Sequence, residues 1–309
     1  MRILVTGGAG FIGSHVVDRC LAEGHEVAVV DNLSTGSREN LNPTAAFFEA
    51  DIRDADGMER TIAQQRPQVI IHHAAQMDVR RSVAHPIFDA ETNVIGSLNL
   101  LMVALKHGVR RFVYASTGGA IYGDTDNRPT PEDHPPNPIS PYGVSKHTVE
   151  HYLHLYHVNE GLGYMALRYA NVYGPRQNPH GEAGVVAIFA GLMLAAKQPT
   201  IFGDGTMTRD YVYVDDVVEG VWGAVESDAN EVLNIGTGVE TSVLGIFNSL
   251  KKHTGYDGEP LFAERRPGEM QNSCLDPSKA RQVLGWQAHV PLGEGLHRTV
   301  AYWTQERRQ

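Results

Sequence analysis

Short apolar runs alternate along the chain with longer segments whose apolar residues recur at helical spacing. Runs at 2–6, 26–30, 46–52, 68–71, 111–115 and 164–168 have the length and composition of buried strands. Between them, the spacing predicts helices over residues 12–23, 54–65, 89–107 and 142–160. Strands that alternate with helices in this way predict an α/β fold built on a doubly wound parallel sheet.

Three glycines, Gly7, Gly10 and Gly13, join the first predicted strand to the first predicted helix. Without a Cβ, these positions permit a tight turn and let the backbone approach a pyrophosphate at the helix N-terminus. The second predicted strand leads to Asp31, whose carboxylate can bind both ribose hydroxyls and would repel a 2′-phosphate. Together these features predict a Rossmann-type site for NAD rather than NADP.

Tyr142 and Lys146 lie four residues apart in a predicted helix, so they project from the same face. A free phenol titrates near ~10. An ammonium close by favours the phenolate, so the pair can supply a general base near neutral pH. The strand at 111–115 ends in two further hydroxyl residues, Ser116 and Thr117.

The glycine turn, the Ser116-Thr117 strand end and the Tyr142-x-x-x-Lys146 pair occur in the order that a nicotinamide-dependent oxidoreductase needs. On these motifs the chain resembles the extended short-chain dehydrogenase/reductase family, most closely its UDP-glucose 4-epimerase branch. The resemblance covers essentially the whole chain. It implies NAD-dependent epimerisation at C4 of a UDP-hexose through a 4-keto intermediate, with Tyr142 taking the 4-hydroxyl proton and Lys146 holding the nicotinamide ribose.

The catalytic hydroxyl has two possible positions in this motif. Counting back from Tyr122 places Gly118 there, whereas counting forward along the strand places Thr117 there. The pleat of a strand fixes side-chain direction residue by residue, while a Gly118-Gly119 loop can absorb one inserted residue. We therefore expect Thr117 to share the sugar O4 with Tyr142, with Ser116 as the second candidate.

The resemblance also implies the ligand contacts. Asp51 and Ile52 meet the adenine, Asn93 the nicotinamide half, and Arg209 and Arg266 the diphosphate of the sugar nucleotide. The implied cofactor contacts are Gly7, Gly10, Phe11, Ile12, Gly13, Asp31, Asn32, Ser34, Thr35, Gly36, Asp51, Ile52, Ala74, Ala75, Gln76, Asn93, Tyr142, Lys146 and Tyr169. The implied substrate contacts are Thr117, Tyr142, Asn171, Val185, Thr200, Phe202, Arg209, Arg266, Glu269 and Ser273.

Ser273 bears on which sugar is accepted. Alignment with the family motif places it where strict UDP-glucose epimerases can carry a tyrosine that closes the sugar pocket. Loss of the phenol ring leaves space on the order of 100 Å³, enough for the acetamido group of UDP-GlcNAc or UDP-GalNAc. The alternative is that Met77 or Gln271 fills this space.

Composition and charge narrow the classes of partner. The chain has 309 residues and a net charge of −10, which disfavours nucleic acid and anionic membranes as partners. Two cysteines make no disulfide framework, no apolar run reaches the ~20 residues of a membrane span, and we expect a cytoplasmic enzyme. His147, His151 and His154 share one helical face, but no cysteine or carboxylate partner is adjacent, so no metal site is expected.

The chain is expected to form two interleaved units. Residues 1–174, with a return segment at about 212–236, are predicted to form the NAD-binding Rossmann domain. Residues 175–211 and 237–309 are predicted to form a smaller substrate-binding lobe. By resemblance, helices 89–107 and 142–160 pack against their copies in a homodimer.

Three other activities remain open at this point. A nucleotide-sugar 4,6-dehydratase needs an acid and a base directly after the catalytic threonine, where this chain has Gly118 and Gly119. A UDP-glucuronate 4-epimerase or decarboxylase needs an extra cation near the sugar, for which Arg80, Arg81 and Arg176 are candidates. A non-catalytic NAD-sensing regulator is disfavoured, because such relatives typically lose the Tyr-Lys pair.

Overall fold

The structure, a computed structural model, describes residues 1–179, 184–265 and 270–306. Its strands are β1 (Arg2–Thr6), β2 (Glu26–Asp31), β3 (Ala46–Glu49), β4 (Val69–His72), β5 (Arg111–Thr117), β6 (Gly163–Tyr169), β7 (Asn171–Tyr173), β8 (Thr200–Phe202), β9 (Thr208–Tyr213), β10 (Glu231–Ile235), β11 (Glu240–Ser242), β12 (Leu261–Ala263) and β13 (Asn272–Ser273). Its α-helices are α1 (Phe11–Ala22), α2 (Ala55–Gln65), α3 (Val79–Ala84), α4 (Pro86–Ala90), α5 (Gly96–Lys106), α6 (Gly118–Tyr122), α7 (Pro141–Glu160), α8 (Val185–Leu194), α9 (Val214–Glu226), α10 (Val243–Thr254), α11 (Ser278–Leu284) and α12 (Leu292–Glu306).

Seven parallel strands form the large sheet in the order β10-β6-β5-β4-β1-β2-β3. Chain order reverses between β1 and β4, so the crevice at the carboxyl ends of these two strands is where an open parallel sheet takes its ligand. The predicted doubly wound α/β fold is confirmed. The glycine turn after β1 opens directly at this crevice.

The pleat of the sheet divides the core into two clusters. Leu4 of β1 packs with α2, α5 and α7 residues on one face, and its neighbours Ile3 and Val5 pack with α1 and α9 residues on the other. Residues that alternate between two buried faces explain why the strands read as continuous apolar runs.

A smaller four-stranded sheet joins β11, β9 and β13, with β7 also paired to β9, while β8 and β12 form a separate pair. After β9 the chain passes through α9 and adds β10 to the edge of the large sheet beside β6. The domain boundaries given above stay a prediction. None of the described helices is both long enough and apolar enough to span a bilayer.

Three local expectations were wrong, and one helix was missed. The helix expected at 89–107 begins earlier, as α4, and passes through a π-helical turn at Glu91–Ile95 before α5. The expected Gly118-Gly119 loop is helix α6, because the Thr117 side chain caps its N-terminus. β3 ends at Glu49, before Asp51 and Ile52, and α3 was not foreseen at all.

Candidate active site

The glycine turn has the geometry of a phosphate cradle. Gly7 has φ +71°, which favours glycine, and a Cβ on it would lie 2.6 Å from the Ala74 backbone nitrogen. A Cβ on Gly13 would lie 2.2 Å from the Gly7 carbonyl oxygen. Side chains are thus excluded from the turn, and the N-terminus of α1, where Phe11 and Ile12 lie, faces the crevice above the sheet. This backbone fits the pyrophosphate of a dinucleotide.

Asp31 ends β2 beside this turn and is buried. Its carboxylate accepts hydrogen bonds from the Ala9 and Leu33 backbone N–H groups, at 3.0 and 2.8 Å. Burial raises the pKa of Asp31, and these two hydrogen bonds oppose that rise. The carboxylate keeps lone pairs for ribose hydroxyls. Arg38, in the loop after Asp31, could meet a 2′-phosphate but pairs with Glu49, which fits NAD rather than NADP.

The loop after β2 lies against the glycine turn and the end of β3. A Cβ on Gly36 would lie 2.9 Å from the Ala9 carbonyl carbon, so Gly36 borders the turn, and Ser34 and Thr35 precede it in the same loop. The Asn32 side chain donates to Asp51 at 2.8 Å, and Ile52 is buried next to Gly96. The predicted adenine-side residues therefore lie together.

Tyr142, Lys146 and Thr117 meet at the carboxyl end of β5. The Thr117 side chain lies close enough to the Tyr142 phenol to lower its pKa. The Lys146 ammonium is buried, donates to the Ala115 carbonyl at 2.8 Å and lies 6.0 Å from the centre of the Tyr142 ring. A hydroxyl, a phenol and an ammonium in this order can hold a substrate oxygen and move its proton.

The expected lowering of the Tyr142 pKa by Lys146 was wrong for the protein alone. Burial, followed by the charge of Asp89, raises the pKa of Tyr142, and only the Thr117 hydrogen bond lowers it. Burial also lowers the pKa of Lys146 to about 8, against the raising effects of Asp89 and Glu150. Desolvation thus outweighs charge pairing in the ligand-free protein. A cationic nicotinamide ring bound beside Tyr142 would add positive charge that favours its phenolate.

Ser116 points away from Tyr142 into a buried ion pair. Its hydroxyl donates to Glu150 at 2.6 Å, and Glu150 also accepts from Arg168 at 2.7 and 3.0 Å and from His147 at 3.0 Å. Between the two candidate hydroxyls, the geometry therefore favours Thr117 as the substrate contact. The signal for Glu150 in the sequence was its place four residues after Lys146, which the motif analysis did not use.

A second buried cluster braces the loop after β4, which carries Ala74 and Ala75. The Asn93 amide oxygen accepts from the Gln76 N–H at 2.8 Å, and its amide nitrogen donates to the Gln76 carbonyl and to Ser145, next to Lys146. Asp89 accepts from both amide side chains. Sequence reasoning missed Asp89, although it lies one helical turn before Asn93.

Tyr169 ends β6 and contacts the same region through a histidine. Its hydroxyl lies 3.1 Å from the His73 Nε2, and burial lowers the pKa of His73 to about 3, which keeps the imidazole neutral. His147 and His151 contact each other through their Nε2 atoms at 3.1 Å, and Glu150 accepts from His147, so the expectation that no carboxylate lies adjacent to these histidines was wrong. Within the described residues, no group of three or more potential ligands is arranged to hold a metal ion.

The substrate side is built by the smaller lobe. The Arg209 guanidinium donates to the carbonyls of Thr208, Met270 and Gln271, and Ser273 pairs with Arg209 across β13 and β9. The Ser273 hydroxyl would lie 3.5 Å from a Cβ on Gly119, two residues after Thr117. The structure thus brings Ser273 next to Gly119, at the start of the helix that follows Thr117.

The remaining predicted substrate contacts lie in separate elements. Asn171 begins β7, Val185 begins α8, and Thr200 and Phe202 are the ends of β8. Arg266 and Glu269 lie outside the described residues.

Comparison with known proteins agrees with this site. Residues 3–236 match the NAD dependent epimerase/dehydratase family. The chain is 48% identical over 309 residues to a UDP-glucose 4-epimerase of Mycolicibacterium smegmatis, with 98% of each chain covered. Among solved structures, it is 54% identical to a Thermotoga maritima UDP-glucose 4-epimerase with UDP-glucose, with a TM-score of 0.98 and 99% and 100% of the two chains covered.

A second solved structure carries the cofactor. The Thermus thermophilus UDP-glucose 4-epimerase in complex with NAD is 46% identical, with a TM-score of 0.94 and 98% and 99% of the two chains covered. Both the sequence match and the fold match extend over nearly the full chain. The chain belongs to the NAD-dependent epimerase/dehydratase family.

Proposed function

We propose that this protein is an NAD-dependent 4-epimerase that interconverts UDP-glucose and UDP-galactose. The contact between Thr117 and Tyr142, beside the buried Lys146 and at the sheet edge where the glycine turn opens, is the observation that carries the proposal. The activity of the similar proteins from Mycolicibacterium and Thermotoga supports it.

The chain's own residues perform four tasks in this reaction. Thr117 and Tyr142 hold the sugar O4, and Tyr142 takes the hydroxyl proton and later returns it. Lys146 keeps a positive charge close to the phenolate and binds the nicotinamide ribose. Asp31 and Lys146 would hold NAD, which would supply reversible hydride transfer at C4 of the sugar, with return to the opposite face. Arg209 and Arg266 hold the diphosphate while the sugar turns.

Product analysis tests the function directly. Purified protein incubated with UDP-galactose is expected to form UDP-glucose without added cofactor, because NAD returns to its starting state in each turnover and gains nothing by leaving. Denatured protein is expected to release NAD. Release of NADP, or accumulation of NADH in proportion to product, would contradict the proposal.

The alternatives have less support. Gly118 and Gly119 offer no acid or base for a 4,6-dehydratase. Of the arginines considered for a uronate carboxylate, Arg176 pairs with Asp18 at 2.8 Å and Arg81 lies over the Phe88 ring at 4.3 Å. The intact Tyr-Lys pair argues against a non-catalytic regulator.

Ser273 is proposed to leave room for an N-acetylated sugar. Beside Gly119, its hydroxyl and the Met270 methyl group lie 3.5 and 3.6 Å from a Cβ built there, so a larger side chain at 273 fills the space next to Thr117. We expect activity on both UDP-galactose and UDP-GalNAc. Ser273→Tyr is expected to lower kcat/KM at least tenfold for UDP-GalNAc only, which corresponds to about 1.4 kcal/mol. Equal losses of kcat/KM for both sugars, or no activity of the wild type on UDP-GalNAc, would contradict this role of Ser273.

We also propose a homodimer through α5 and α7, as the family resemblance implies. Large apolar side chains are exposed on the π-helical turn and the two helices, at Ile95, Met102, Leu155 and Val158. An apolar surface of this kind marks an interface in a water-soluble protein. We likewise propose a cytoplasmic location and a division of the chain into a Rossmann domain and an interleaved substrate-binding lobe. Sedimentation of the purified protein at twice the monomer mass is the expected result.

A further inference from the structure

Asp89 is a buried carboxylate that the reaction scheme does not use. Only 1% of its surface is exposed. Oδ1 accepts hydrogen bonds from Gln76 Nε2 at 2.9 Å and Asn93 Nδ2 at 3.1 Å. Oδ2 is buried and has no hydrogen-bond partner within the described residues. A carboxylate buried with one oxygen unpaired is unfavourable unless a charge nearby compensates it.

The compensating positive charge near Asp89 comes from Lys146 of α7. From α7, Lys146 and Tyr142 interact electrostatically with Asp89, and from β5 so does Tyr114. The Lys146 ammonium donates its hydrogen bond to a neutral carbonyl. No carboxylate among the described residues lies within ion-pair distance of it.

The other charges near this cluster are already paired or turned elsewhere. Glu150, which also acts on Lys146, is paired with Arg168 at 2.7 Å. From α3, the Arg81 guanidinium lies over the Phe88 ring. Of the two carboxylates that raise the pKa of Lys146, Asp89 has the larger effect and Glu150 is already paired with Arg168.

We propose that Asp89 is a positioning residue for the epimerisation: its fixed negative charge balances Lys146, and its hydrogen bonds orient Gln76 and Asn93 beside the cofactor. With ionised Tyr142, protonated Lys146, ionised Asp89 and a cationic nicotinamide, the site sums to zero charge. Breaking C4–H and O4–H sends a hydride to the nicotinamide and a proton to Tyr142, and the sum is again zero. Without Asp89, the reduced site holds an unbalanced buried ammonium. This inference rests on the proposed roles of Tyr142 and Lys146.

The negative charge of Asp89 is expected to affect the pH dependence of kcat. A negative charge raises the pKa of both Tyr142 and Lys146, so its removal lowers both pKa values. The acid limb of the kcat profile reports the phenolate and the alkaline limb reports the ammonium. Both limbs are therefore expected to move to lower pH together.

Asp89→Asn tests this with little change of shape, since the amide oxygen still accepts from Gln76 and Asn93. We expect both limbs to shift to lower pH by about one unit, with a loss of kcat at pH 8 of about fivefold. Asp78→Asn is the matched control: it removes a carboxylate that caps α3 nearby, and no shift is expected. Asp89→Glu keeps the charge and is expected to retain the wild-type pH profile even where kcat falls.

The outcomes separate the possibilities. A lower kcat with unshifted limbs in Asp89→Asn, or a shift of equal size in Asp89→Glu, overturns the charge role. Phenolate absorbance of the NAD-loaded protein, measured against Tyr142→Phe, gives the Tyr142 pKa without turnover and must fall in Asp89→Asn. If Tyr142→Phe itself keeps wild-type activity, the proposed base fails whatever Asp89 does.

Discussion

Replacing Tyr142 with phenylalanine is expected to lower kcat for UDP-galactose by about 10²–10⁴-fold, with NAD still bound. The phenol is the one group of the site that combines contact with Thr117 and a lysine one helical turn away. Phenylalanine keeps the ring and removes the oxygen that takes the proton. Loss of the hydrogen bond to Thr117 changes the free energy of unfolding by only about 1 kcal/mol. Turnover and bound NAD, measured on the same preparation, check both statements.

The two hydroxyls after β5 provide the control. Thr117→Ala is expected to slow the reaction much more than Ser116→Ala, because only Thr117 contacts the Tyr142 phenol while Ser116 donates to Glu150. The reverse order would mean that Ser116 is the substrate contact. A Tyr142→Phe variant with near wild-type kcat would remove Tyr142 from the mechanism.

Replacing Glu150 with alanine is expected to lower the free energy of unfolding by about 3–5 kcal/mol. Glu150 and Arg168 are both buried, and removal of the carboxylate leaves the guanidinium without its partner. The Ser116 and His147 hydrogen bonds are lost as well. Chemical denaturation at pH 7 measures the change. A loss below 1 kcal/mol would contradict the prediction.

Two variants control for this effect. Glu160→Ala removes an exposed glutamate at the end of the same helix and is expected to change stability by no more than about 0.5 kcal/mol. Glu150→Leu combined with Arg168→Leu removes both charges together. The double variant is expected to be more stable than Glu150→Ala, because no unpaired charge stays buried.

The contribution of Glu150 also depends on pH. Burial alone would raise the pKa of Glu150, but hydrogen bonds from Arg168, His147 and Ser116 hold it below its usual value. A depressed pKa in the folded state means that the stabilisation is fully present above the unfolded pKa of about 4.3 and is lost as the pH falls through the folded value. The stability difference between wild type and Glu150→Gln is therefore expected to shrink below about pH 4.

The fold could be predicted from the sequence because the signals for its strands and turns are local. Continuous apolar runs identified the strands of the large sheet, and glycine spacing located the turn after β1. The pleat of β5 favoured Thr117 over Ser116 as the substrate contact, but it did not indicate that Ser116 donates to Glu150.

What the sequence missed depends on contacts between distant segments. The charge of Asp89 acts on Lys146 across 57 positions of the chain, and no spacing rule predicts such a pair. The pKa of Tyr142 was predicted in the wrong direction for the same reason. A four-residue interval shows that a lysine is near, but the desolvation of the phenol depends on everything packed around it.

The position of β10 has a consequence for how the protein is made. β6 ends at Tyr169, but the strand that pairs with its outer edge begins at Glu231. During synthesis at about 5–20 residues per second, that edge emerges from the ribosome several seconds before its partner. An unpaired strand edge is a template for wrong pairing. Chaperone demand in the cell should therefore peak while the segment between these two strands is being translated.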